Sequence, residues 1–72
     1  MKPHIIDEEG YKALEEMRRN HKILMAKATT QSGYTKCIYG YMRYSFTVEL
    51  AGEVKYEGMQ LRDAVAAYNE LL

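Results

Sequence analysis

The chain has 72 residues, and its ten Lys and Arg balance its ten Asp and Glu, so it carries no formal net charge. That length excludes a second domain, and 47% hydrophobic with 28% charged residues excludes a disordered, collagenous or membrane-embedded class. What remains is one small domain, residues 1–72, which buries only about 60% of the surface its unfolded chain exposes and gains most from whatever else can cover it.

The first predicted element is a helix opening at Asp7. Asp7 is a good N-cap, Glu8 and Glu9 complement the positive end of the dipole, and Ile6 can staple onto Tyr11. Tyr11, Leu14 and Met17 recur at helical spacing, Arg18 and Arg19 complement the last turn, and Asn20 closes it in a left-handed conformation. Continuing this helix to Ala28 would put His21 into the apolar seam and Ile23 among the charges. Leu, Met, Ala and Lys in 22–28 are strong helix formers, so a helix continued to Ala28 stays open as the alternative. The preferred reading of residues 22–30 is a strand, followed by a three-residue loop, Gln31-Ser32-Gly33, with Gly at its left-handed third position.

From Tyr34 to Leu50 the alternation never changes parity. Even positions hold Ile38, Met42, Tyr44, Phe46, Val48 and Leu50, whereas odd positions hold Thr35, Cys37, Tyr39, Tyr41, Arg43, Ser45, Thr47 and Glu49. Gly40 alone is a poor turn, so the pattern predicts one long strand bent or bulged there. A loop at Leu50-Ala51-Gly52 then sets Val48 opposite Val54, Phe46 opposite Tyr56 and Glu49 opposite Glu53. After Gly58, an amphipathic helix from about Gln60 to Leu72 carries Leu61, Ala64, Val65, Tyr68, Leu71 and Leu72 on one stripe. The expected fold is α+β: an N-terminal helix, an antiparallel β-meander with a long bent central strand, and a C-terminal helix, with both helices on the even face of the sheet.

Taken in order, the charges are segregated. Residues 1–16 hold two bases against five acids, residues 17–48 hold six bases and no acid, and residues 49–72 again hold two bases against five acids. The basic block is Arg18, Arg19, Lys22, Lys27, Lys36 and Arg43, and it overlaps the odd sheet face. That face is expected to gather Ile23, Met25, Lys27, Cys37, Tyr39, Tyr41 and Arg43. Tyr, Met and Arg are the residue types enriched where proteins touch.

Catalytic chemistry is thin. His4, His21 and Cys37 do not make a metal spacing, and neither a phosphate loop nor a Ser/His/Asp set is present, so no metal, cofactor or enzymatic role is expected. One cysteine excludes an intrachain disulfide framework, and no stretch reads as a secretory signal or a membrane span, which together predict a cytoplasmic protein. The order helix, sheet, helix, with a Phe46-x-Val48 strand and Gly58 ahead of the last helix, is similar to the double-stranded-RNA-binding domain. That family opens its last helix on a lysine cluster. Here the corresponding segment, Gln60-Leu61-Arg62-Asp63-Ala64, has one base and one acid, so the main phosphate clamp is missing.

The leading expectation is a non-enzymatic protein-interaction module, of a kind that suits an accessory or inhibitory protein of a phage or mobile element. Its contact residues would be Met25, Lys27, Tyr39, Tyr41 and Arg43 with the rim Arg18, Arg19 and Lys22, and its partner an acidic protein surface or a second copy of itself. The alternative is a nucleic-acid-binding accessory protein that uses the same bases for phosphates and the same tyrosines for stacking.

Overall fold

The computed structural model describes residues 5–17 and 21–72. Helix α1 (Glu8–Glu16) precedes strands β1 (Ile23–Thr29), β2 (Thr35–Tyr41), β3 (Ser45–Leu50) and β4 (Glu53–Gly58), and helix α2 (Leu61–Glu70) closes the order. The strands form one antiparallel sheet in the order β1-β2-β3-β4. This is the α+β meander between two helices that the periodicities predict.

Asp7 caps α1 as expected: its carboxylate accepts the Gly10 N–H at 2.9 Å, and its carbonyl accepts the Tyr11 N–H at 2.8 Å. The helix ends at Glu16, with the Met17 N–H donating to the Leu14 carbonyl. The predicted closing turn at Arg18, Arg19 and Asn20 lies outside the described residues. Residues 23–29 are a strand, and the loop that follows has Gly33 at φ 91°, where a side chain would be strained. Its ends are tied by the Thr30 N–H to the Tyr34 carbonyl at 2.7 Å and by the Tyr34 N–H to the Thr30 hydroxyl at 3.1 Å.

Two expectations are corrected at Gly40 and beyond. The long bent strand is a hairpin: Tyr41 pairs with Ser45, and Met42-Arg43-Tyr44 form the loop, with Met42 at φ 59° and Arg43 at φ 71°. Neither residue type favours that left-handed region, which is why the composition concealed the turn. Gly40 serves packing instead. A β-bulge between Leu24 and Ala26 turns Met25 inward, and a Cβ on Gly40 would lie 2.6 Å from the Met25 sulfur.

The last hairpin is also in a different register. Leu50 pairs with Glu53, so Ala51 (φ 52°) and Gly52 (φ 84°) make a two-residue loop whose twist suits the flanking strands. A bulge then places Val48 opposite Tyr56 and Phe46 opposite Gly58, and Glu49 faces Val54 rather than Glu53. The like-charge pairing disappears with the shift.

Helix α2 lies on the sheet face that carries Ile38, Phe46 and Val48, against which it buries Leu61, Ala64, Val65 and Tyr68. Leu14 and Met25 complete this core. Helix α1 sits beside α2. The Asn69 side chain bonds both ways to the Ile6 backbone at 2.8 and 2.9 Å, Arg62 stacks 4.2 Å from the centre of the Tyr11 ring, and Arg62 meets Glu8 at 3.4 Å.

Lys36 corrects a third expectation. Counted among the bases free to meet a phosphate, it is 0% exposed. Its even parity, shared with Ile38, sends it under α2, where Nζ donates to the carbonyls of Tyr68 at 2.8 Å and Leu71 at 2.7 Å and lies 4.1 Å from the centre of the Tyr68 ring. Helix α2 has no base of its own in its last turn. Lys36 supplies from β2 the cation that its negative end and unpaired carbonyls need.

Replacing Lys36 with Met keeps the stem's packing and removes both hydrogen bonds, so thermal unfolding is expected to show a loss of about 1–3 kcal/mol. Burial also pushes the Lys36 ammonium below its usual 10.5. The folded state therefore releases this proton before the unfolded chain does, and the group's contribution to stability rises with pH between the lowered value and 10.5. Melts across the alkaline range up to 10.5 should show that upward slope in the wild type and its absence in Lys36→Met; equal slopes would contradict the assignment.

Candidate functional site

The sheet face opposite α2 has no helix or strand packed on it among the described residues. Its side chains are set by the pairing. Across the sheet, one row runs Lys27, Cys37, Glu49, Val54, and the next runs Leu24, Tyr39, Thr47, Glu57. Tyr41 and Ser45 form a shorter third row at the hairpin end.

This arrangement brings some of the predicted contact residues together and separates others. Lys27, Tyr39 and Tyr41 lie on the outer face, with Lys22 beside them: its Nζ sits 4.7 Å from the centre of the Tyr39 ring, a cation–π contact. Arg43 is exposed in the β2–β3 loop, where it makes an interaction of its own. Met25 is not on this face. The bulge rotates it into the core, where it is 6% exposed, and Ile23, paired with Gly40, is likewise turned toward the helices. Arg18 and Arg19 lie outside the described residues.

Leu24 takes the place expected for Met25, and it is 46% exposed. No alternation could have signalled it, because one bulged residue reverses the parity on its N-terminal side. Glu49, expected at an odd position, shares the face, and so does Glu57. At the hairpin end Tyr41, Met42 and Tyr44 are all exposed. Of these, Met42 stands on a left-handed backbone, a conformation that costs a non-glycine residue energy.

Cys37 is buried between its cross-strand neighbours. Its charge when ionised, together with its hydrogen bond, pushes the Tyr39 hydroxyl above its usual range. Tyr39 is thus a neutral ring and hydroxyl at ordinary pH, suited to stacking and hydrogen bonding. Among the described residues no group of three His, Cys, Asp or Glu is placed to hold a metal ion, and no helix is long and apolar enough to cross a membrane. The groove between the helices, about 290 Å³, is lined by Asp7, Tyr11, Arg62 and Asn69; Asp7 caps α1, while Arg62 and Asn69 are engaged with Tyr11, Glu8 and the Ile6 backbone.

The loop makes a separable test of strain. Met42→Asn should melt at or slightly above the wild type, because Asn tolerates the left-handed region, while Met42→Val should lose about 1–2 kcal/mol. Equal stability of the two variants would show that Met42 does not hold that conformation in solution. Comparison of the chain with protein-family models, with curated proteins and with solved structures gives no match, so the similarity to the double-stranded-RNA-binding domain carries no family assignment.

Proposed function

We propose that this chain is a non-enzymatic protein-interaction module that works in the cytoplasm and engages its partner through the outer sheet face. Lys22, Leu24, Lys27, Tyr39 and Tyr41 make the contact, extended by the Met42–Tyr44 loop. The observation that carries this reading is the uncovered face itself: Leu24 and Tyr41 stand 46% and 52% exposed around the Lys22–Tyr39 pair, with nothing packed on them. Aromatic rings ringed by charge are the usual anchors of a protein contact. A buried, lone Cys37 suits a reducing compartment.

The nucleic-acid alternative loses support from the same geometry. Lys36 is withdrawn into the core, Lys22 is engaged with Tyr39, and Glu49 and Glu57 would face a phosphate backbone across the sheet.

Tyr39→Ala combined with Tyr41→Ala should abolish capture of the partner by the immobilised protein while the variant still unfolds cooperatively. Both side chains point away from the core, so the stability cost should stay near about 1 kcal/mol. Retained capture by a folded double variant would contradict the proposal, as would salt-sensitive binding to RNA or DNA that the same double variant loses.

A further inference from the structure

The outer face is antisymmetric in charge and in size about a line parallel to its strands. On the β1–β2 half stand Lys22 and Lys27 with the bulky Leu24, Tyr39 and Tyr41 around the buried Cys37; on the β3–β4 half stand Glu49 and Glu57 with the small Ser45 and Thr47 and the exposed Val54. Lys27 shares its row with Glu49, whereas the row of Glu57 begins at Leu24, two residues along the chain from Lys22. None of these four charged side chains has an ion-pair partner among the described residues, where the pairs formed are Lys55 with Glu53 and Arg62 with Glu8.

A surface with opposite halves is complementary to itself under one particular rotation. Taking the outer face as a contact surface, as above, we infer that its partner is a second copy of this chain, docked face to face about a two-fold axis that runs along the strands between β2 and β3. That axis lays each basic, bulky half over the acidic, small half of the other copy, so Tyr39 and Tyr41 meet the hollow left by Ser45 and Thr47. An axis across the strands would instead place lysines over lysines. That rotation sets the Lys27 of each copy over Val54 and one strand spacing from Glu49 of the other. An isologous contact repeats each such approach twice, and two sheets packed this way lie about 10 Å apart at a small angle. The zero net charge of the chain sets no long-range repulsion against pairing.

The footprint is small. Strands of six or seven residues spaced about 4.8 Å apart give a patch about 20 Å on a side, roughly 800 Å² in total and in the range of weak, transient contacts, so the dimer should be reversible with a dissociation constant on the order of 100 μM.

Sedimentation velocity from about 10 μM to about 1 mM brackets that affinity. The wild type should shift from monomer to dimer across this range and do so less at high salt. Lys22→Glu with Lys27→Glu, and separately Glu49→Lys with Glu57→Lys, should each weaken association at least about tenfold, since each makes both halves alike in charge. An equimolar mixture of the two variants should dimerise, and so should the chain carrying all four changes. A wild type that stays monomeric throughout, or a dimer indifferent to these reversals, would overturn the inference. If the wild type is monomeric and Tyr39→Ala with Tyr41→Ala still loses capture of another protein, the face remains a contact surface and only its assignment to a second copy fails.

Discussion

The whole arrangement turns on Lys36. A lysine removed from water is costly unless its charge is met, and here two carbonyls at the end of α2 and the ring of Tyr68 meet it at once. The same contact answers the unpaired carbonyls of α2, which has no base in its last turn. One side chain thus ties the end of α2 to the face that Ile38, Phe46 and Val48 make apolar. It also joins the end of α2 to the strand that carries Tyr39 and Tyr41 on its opposite side.

Because β2 faces two ways, the core and the outer surface are coupled residue by residue. Lys36, Ile38 and Gly40 point toward α2, while Cys37, Tyr39 and Tyr41 point away. The even side is packed to the point that Gly40 must lack a side chain beside Met25. The odd side keeps three rows of side chains in water, graded from basic to acidic across the four strands. A domain this small has little apolar surface to spare, so exposing Leu24, Tyr41 and the Met42–Tyr44 loop is informative about what the surface is for.

Much of this was legible in the sequence, for identifiable reasons. Asp7 followed by two glutamates announces a helix start, a Gly ending a polar triplet announces the first hairpin loop, and the parity of Ile38, Phe46 and Val48 marks the buried face. Lys36 was legible too, since it shares that parity, but its charge argued for solvent and the partner that neutralises it lies far along the chain. The β2–β3 turn was not legible, because Met42 and Arg43 are poor turn residues placed there against their backbone preference. The bulge at Met25 was not legible either. A single extra residue exchanged Leu24 for Met25 on the outer face, and periodicity cannot anticipate that.

The measurement that tests the account most directly is a series of amide NMR spectra across concentration. The account predicts shifts that grow with concentration and map to Leu24, Lys27, Tyr39, Tyr41, Thr47, Glu49 and Glu57, with the amides of α1, of α2 and of the groove between them unmoved. Shifts confined to the helices or the groove, or none at any concentration, would contradict the claim that the sheet face opposite Lys36 is built to be covered by a second copy.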